Sequence, residues 1–438
     1  MTNDLYLGRN STGVGRYNLS STGSLSAKNE YIGYDGTGIF TQNGGTNTIT
    51  NNLIIANSVG RLGIYTISGG TLTAGTIFNN DEFEMSGGTV NSSINNSGTF
   101  SYTAGNLNGQ LINDGTVYLN GDFTASNGMI NNTSVAINTG RIVTLNGSGL
   151  ENNGSMYLDG TLQGNGPQVN NGQMYVKGTI GGSGGLTNKG TMTLTGGTTT
   201  VNADVTNQDT GKIEVAYNPA IFTGNVINNG TFKTTDTNVA FAGNFTNNGA
   251  YISDPSTNYF NELTIGAEGY LLGGLGDNFF TETNLINNST QDTLWNTDDA
   301  LLGFSGTGSH EYYLAGEDLG ADISGYTDNF AWGTLNVEGN LNLFDGNATE
   351  GGAQYLSVLD GAVLLGDIVS NISGQDGLNI YYLASASGNE YLNGLKYNLT
   401  SGGFLIPVEN APVPIPPAIL LFGTGLLGLI AIRRRVCS

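Results

Sequence analysis

One phrase recurs along this chain, and Val226-Ile227-Asn228-Asn229-Gly230-Thr231-Phe232 is its clearest copy. Two strand-like positions run into Asn-Asn, a glycine follows, and Thr with an aromatic residue starts the next strand. Asn and Gly tolerate positive φ where other residues do not, so Asn-Asn-Gly reads as a corner. Variants are Ile94-Asn95-Asn96-Ser97-Gly98-Thr99-Phe100, Ile112-Asn113-Asp114-Gly115-Thr116-Val117, Glu151-Asn152-Asn153-Gly154-Ser155-Met156, Val169-Asn170-Asn171-Gly172-Gln173-Met174 and Phe245-Thr246-Asn247-Asn248-Gly249-Ala250-Tyr251. The corner glycines stand at 98, 115, 154, 172, 190, 211, 230 and 249, with gaps of 17, 39, 18, 18, 21, 19 and 19. The gap of 39 is expected to hide one degenerate copy, near Asn138-Thr139-Gly140. A corner every 17–21 residues with short strands between predicts a coil stacked on itself, a parallel β-helix or β-solenoid.

Composition narrows the alternatives. Glycine is 70 of 438 residues, yet only 8 are Pro and there is no three-residue period, so neither collagen nor a disordered chain fits. Charged residues are 11 %, so the surface must be covered by Asn, Thr, Ser and Gly rather than by ions. The formal net charge is −22, and such a body repels a polyanion; no nucleic-acid partner is expected. Cys437 is the single cysteine and His310 the single histidine, so neither a disulfide framework nor a Cys- or His-cluster metal site is expected, and no cofactor.

Four regions follow in order. Residues 1–90 carry a longer repeat of about 23–25 residues, seen in Gly15-Arg16-Tyr17-Asn18-Leu19, Gly38-Ile39-Phe40-Thr41-Gln42 and Gly63-Ile64-Tyr65-Thr66-Ile67. Apolar and polar residues alternate in each, so one side of each strand points inward. Residues 91–253 hold the shorter Asn-Asn-Gly coils, whose amides are expected to stack along the axis. Residues 254–407 still alternate, gain both Trp and most acidic pairs, and read as final coils plus a larger capping region that covers the terminal edge. Residues 408–438 are different: a Pro-rich break, an apolar helix expected over 418–432, and Arg433, Arg434 and Arg435. Fifteen residues at about 1.5 Å span roughly 22 Å, short of a roughly 30 Å hydrocarbon core, a gap closed by snorkelling arginines and local thinning. The expectation is therefore all-β, with a single C-terminal transmembrane helix whose arginines stay cytoplasmic. Met1 to Tyr6 have no basic cluster or apolar core and are no secretory signal, which suggests that Met1 is not the natural start or that the chain is a fragment.

The tail carries a resemblance. Val413, Pro414, Ile415 and Pro416, the apolar segment Ala418–Ile432 and the Arg433–Arg435 stop resemble the PEP-CTERM sorting signal of Gram-negative bacteria. That family commonly has Glu where Ile415 stands; an aliphatic residue there resembles its variant with Leu. The resemblance implies an exosortase-type processing enzyme as partner, a transient inner-membrane anchor, and a destination at the cell surface or outside it, in company with exopolysaccharide and biofilm matrix. The body resembles the repeats of autotransporter passengers and adhesin-like surface proteins, although nothing after Ile406 has the length of a membrane barrel.

Other motifs have plainer readings. Gly423-Thr424-Gly425-Leu426-Leu427-Gly428 matches the dinucleotide fingerprint but lies in the apolar segment with no second strand, where small residues suit a membrane helix. Gly181-Gly182-Ser183-Gly184-Gly185 matches a nucleophile elbow but falls in a glycine run between coils. Gly273-Gly274-Leu275-Gly276-Asp277-Asn278 resembles half of a calcium-binding turn, in one copy. Asp298-Asp299, Glu311, Glu317-Asp318 and Asp322, beside His310, form the one dense acidic stretch; a solvated loop is set against a polysaccharide hydrolase or lyase site. Alternation puts most Tyr and Phe inside the coil rather than on a sugar-stacking surface. The expected function is structural and adhesive, through multivalent weak contact with polysaccharide or neighbouring cells. The rivals are a polysaccharide-active β-helix enzyme and a passive surface-layer component.

Overall fold

The computed structural model describes residues 3–409 except 59, 349–350 and 376. Short strands separated by corners place each coil directly on the one before it, and the result is a parallel β-solenoid of about 19 turns. Three faces run along it. In one coil the first face is Val226–Asn228, the second the start of Thr231–Asn247, and the third its Val239–Phe241 portion. Each face pairs in parallel, in register, with its counterpart one coil on, as in Asn152↔Asn170, Met156↔Met174 and Leu162↔Ile180. Alternation sets the interior: Met156 and Leu158 are buried while Tyr157 between them faces out. Residues per coil can be read from the register. The step is 24 from Leu53 to Ile77, then 17 from Ile77 to Ile94 and again to Leu111.

The interior is mostly apolar, and its longest continuous polar feature is one line of asparagines. Asn79, Asn96, Asn113, Asn131, Asn152, Asn170, Asn188, Asn207, Asn228 and Asn247 are all fully buried. The side-chain Nδ2 of each donates to Oδ1 of the next; the Asn152–Asn170, Asn170–Asn188 and Asn188–Asn207 links are each 2.7 Å. The second Nδ2 proton is used as well, for example by Asn152 to the Gln173 carbonyl at 3.0 Å and by Asn228 to that of Ala250 at 2.9 Å. Each amide thus satisfies its neighbours and the backbone of the corner, which is the condition for burying a polar group without penalty. The ladder stops where the sequence stops supplying Asn: Asn79 pairs in register with Ile55 before it, and Asn247 with Ile265 after it.

Two sequence expectations are corrected here. The corner glycines at 98, 115, 154, 172, 190, 211, 230 and 249 do not have positive φ. They are glycine because the coils approach too closely for a side chain: a Cβ on Gly172 would lie under 3.0 Å from the carbonyl oxygen of Gly154, and one on Gly190 would meet Gly172 in the same way. Gly172→Ala is accordingly expected to destabilise the stack by about 1–3 kcal/mol, since backbone has to move to admit the methyl group; a fall in melting temperature measures it. The degenerate copy also lies elsewhere. Asn131↔Asn152 and Ser134↔Ser155 are in register, so the missing corner is Asn131-Asn132-Thr133, with Thr in the glycine's place. Asn138-Thr139-Gly140 sits one corner further along the same coil.

After residue 285 the coils lengthen. The first face steps 27 residues from Leu285 to Tyr312 and 31 from Tyr312 to Leu343. Antiparallel pairs appear among the parallel ones: Gly316–Glu317 with Gly352–Ala353, Leu364–Leu365 with Ile368–Val369, and Tyr397–Asn398 with Phe404–Leu405. A second small core of Ala331, Ala353, Tyr355, Tyr381 and Val408 forms there.

Candidate functional site

Val413, Pro414, Ile415, Pro416, Arg433, Arg434 and Arg435, together with the apolar segment 418–432 and the glycines 423–428, lie outside the described residues. Among the described residues no helix is long and apolar enough to cross a membrane.

The acidic stretch resolves into groups with separate tasks. Asp298 and Asp299 open the strand Thr297–Phe304, and Asp328 approaches from a loop in which Asp328 (φ 48) and Phe330 (φ 57) hold left-handed backbone. Partial desolvation pushes the Asp298 carboxyl up to about 6, helped by the charges of Asp299 and Asp328, although the residue stays exposed at the surface. Asp318 is held away from this trio, accepting from Tyr381 Oη at 2.6 Å, Asn379 Nδ2 at 2.8 Å and the Gly320 amide at 2.9 Å. Asp322 caps the short turn Ile323–Tyr326 through the Ser324 amide at 2.9 Å, and that bond holds its carboxyl below the usual range. His310 is buried, its ring nitrogens against the carbonyls of Thr283 and Gly306 at 3.1 and 3.2 Å, and Phe304 packs beside it. It is fully engaged in the wall of the coil and is not placed to serve as a base. Beside Asp328 a cavity of about 180 Å³ is lined by Asp292, Glu317, Leu319, Asn329 and Phe330. The structure therefore brings Asp298, Asp299 and Asp328 together. Chemically, a carboxyl raised to about 6 beside two other carboxyl groups is the kind of group that can act as a general acid.

The glycine motifs take structural roles. Ser183 lies in a corner between coils, its amide donating to the Gly164 carbonyl at 3.1 Å, with no strand-to-helix turn beneath it. In the calcium-like turn, both oxygens of buried Asp277 are occupied by the protein itself: Oδ1 accepts from the Ser256 amide at 2.7 Å and from the Ser253 hydroxyl, and Oδ2 from the Gly274 amide at 2.8 Å.

Most aromatics do lie inside, as in the stacked rows Phe40–Tyr65 and Phe222–Phe241–Phe260. An outward set goes beyond the sequence expectation. Tyr157 and Tyr175 stack on the second face at 5.2 Å, with Tyr118 further up the same row, and Tyr259 and Phe280 stack on the third at 5.5 Å. The signal was available: Tyr118, Tyr157 and Tyr175 each stand between two inward residues, so alternation alone turns them outward.

Set against known proteins, the chain matches no family model, no curated protein and no solved structure. The class it defines is that of the parallel β-solenoids, and its function has to be argued from its own residues.

Proposed function

We propose that this chain is a non-enzymatic, adhesin-like structural rod of the cell surface, exported by a Gram-negative bacterium and handled at the envelope by an exosortase-type enzyme through its C-terminal tail. The observation that carries the rod half of the reading is repetition: about 19 coils present the same outward positions at a fixed spacing. Weak contacts repeated at such a spacing add to useful avidity, and the exposed Asn, Thr and Tyr rows suit hydroxyl-rich partners such as exopolysaccharide. The tail half rests on the order Pro-rich motif, apolar segment, arginines. Replacing Arg433, Arg434 and Arg435 with Ser is expected to abolish the membrane-held precursor and to change the amount of mature protein at the surface, read by cell fractionation; unchanged processing overturns the sorting claim.

A second reading is favoured by one observation, the raised carboxyl of Asp298 beside Asp299 and Asp328. It makes the protein a polysaccharide-active β-helix enzyme. Release of reducing sugar from an acidic polysaccharide, lost in Asp298→Asn, separates it from the first.

A further inference from the structure

The corner between the second and third faces changes shape over four successive coils. In two of them the chain crosses the corner without leaving strand geometry, within Thr231–Asn247 and Ala250–Ile265, and Thr237↔Ser256 and Asn238↔Thr257 pair across it. The coils on either side protrude instead. Tyr217-Asn218-Pro219 rises before them and Gly273-Gly274-Leu275-Gly276 after them, so a flat floor lies between two walls. Three coil steps separate Tyr217 from Leu275, roughly 14 Å at strand spacing. The recess has a volume of about 490 Å³.

What lines it is unusual for a corner. Tyr217 is 70 % exposed and Leu275 87 %. Tyr217 (φ 63) and Asp236 (φ 47) both hold left-handed backbone, a conformation glycine adopts freely and these residues do not. Among the described residues no ring packs on Tyr217, and the side chains of Asp236 and Asn238 on the floor hold no hydrogen bond or ion pair. The floor itself is fixed from beneath. Thr237 Oγ1 donates to the Asn218 carbonyl at 2.6 Å, Tyr251 Oη to Asn258 Oδ1 at 2.7 Å, and Asn258 Nδ2 to Ser253 Oγ at 2.9 Å. Asp277 joins the floor at the Ser256 amide to the far wall at the Gly274 amide. The turn that looks like half a calcium site is thus a clamp that holds the groove open.

A rigid recess with one free aromatic face, one free carboxylate, one free carboxamide and an aliphatic wall has the chemistry that recognises a sugar ring, whose C–H face stacks on an aromatic and whose hydroxyls pair with planar polar groups. Charge chooses among sugars. The chain carries a net −22, Asp236 lies on the floor, and nearby Lys233 is already paired with Asp254 at 3.5 Å, so an anionic polymer is repelled. We propose that this groove is a binding subsite for an uncharged polysaccharide strand, with Tyr217 as stacking platform, Asp236 and Asn238 as hydroxyl ligands, and Asp277 as a positioning residue. It deepens the surface-rod reading and rests on it only for the setting in which the polymer is met.

The test uses the purified full chain with a galactomannan and a mixed-linkage β-glucan as neutral probes, and alginate and hyaluronan as anionic ones, by affinity electrophoresis and titration. Tyr217→Gly removes the ring while easing the backbone, so folding is retained. It is expected to weaken binding of the retained neutral polymer about tenfold, Asp236→Asn by a smaller factor, and Tyr217→Trp not at all. Leu365→Ala, an exposed site in the Leu364–Leu365 hairpin that belongs to none of the outward Asn, Thr or Tyr rows, is expected to leave binding unchanged. Binding unmoved by Tyr217→Gly, an equal loss in Leu365→Ala, a preference for the anionic probes, or retention of neither neutral polymer overturns the groove. Binding that ignores Tyr217 but persists leaves the repetitive-surface reading standing, and the fractionation of the arginine variant tests that reading independently.

Discussion

Asn170→Asp is expected to destabilise the middle of the solenoid by about 3–5 kcal/mol at neutral pH, more than Asn170→Ala at about 2–3 kcal/mol. The amide of Asn170 accepts from Asn152 at 2.7 Å and donates to Asn188 Oδ1 at 2.7 Å and to the Thr191 carbonyl at 3.1 Å. Alanine removes all three and leaves buried acceptors short of a donor. Aspartate is nearly the same size but places a second oxygen where the NH₂ group stood, facing two acceptors, and buries a charge with no cation near it. Burial raises such a carboxyl's pKa, so the penalty shrinks as pH falls and the side chain recovers a donor. A long stack does not unfold as one unit, so the readouts are the melting temperature and amide exchange in the coils flanking residue 170. An aspartate variant as stable as the alanine variant at neutral pH, or one indifferent to pH, refutes the ladder as a source of stability.

The coil was legible because its determinant is local and repeated. Each corner announces itself with amide residues and a small residue, and each strand with two inward positions, so the period survives substitution in any one copy. What the sequence concealed was the reason for each letter. The corner glycines are required by contact between coils 18 or so residues apart, a constraint seen only once Gly154 lies under Gly172. Which amide of each Asn pair turns inward was, by contrast, legible: it stands two residues after an inward strand residue and two before the corner glycine, Asn96 between Ile94 and Gly98 and Asn152 between Leu150 and Gly154. Asn131-Asn132-Thr133 carries Thr where the other corners carry glycine, so a glycine pattern does not reveal it. The same limit applies to function. The acidic stretch reads as one cluster along the chain, but the fold sends Asp318 and Asp322 to structural bonds and recruits Asp328 to Asp298. Tyr217 gives no warning at all, since its exposure comes from a left-handed turn rather than from strand alternation.

Glu30 is expected to make the N-terminal coils less stable as pH rises. It occupies the first face where the coils before and after it carry Leu5 and Leu53, and it is fully buried. Asn47 Nδ2 donates to one of its oxygens at 2.9 Å and also contacts Tyr65 Oη at 3.2 Å, while Tyr65 donates to Gln42 Oε1 at 2.7 Å. The other carboxyl oxygen and Asn47 Oδ1 are buried without a partner. A proton on Glu30 turns an unmatched acceptor into a donor, and ionisation leaves an unpaired charge in the core. Burial pushes its carboxyl up to about 7, against the partial relief of the Asn47 bond, and burial likewise holds Tyr65, the titratable group facing it, far above its ordinary value, so the phenol stays neutral throughout. The sign follows from proton counts: between about 4.5 and about 7 the folded chain keeps a proton that the unfolded chain has lost, so stability is complete below that window and declines through it. The decline is on the order of 3 kcal/mol from this one group. Because a body of charge −22 is also relieved by acid, the wild-type profile alone does not isolate Glu30. The difference from Glu30→Gln does, since glutamine keeps the acceptor for Asn47, supplies a donor and carries no charge. Amide exchange in residues 24–79 measured from pH 4.5 to 7.5 should show wild type and variant alike at the acid end and the variant the more protected at the neutral end; parallel profiles, or a gap that opens toward acid, refute the assignment.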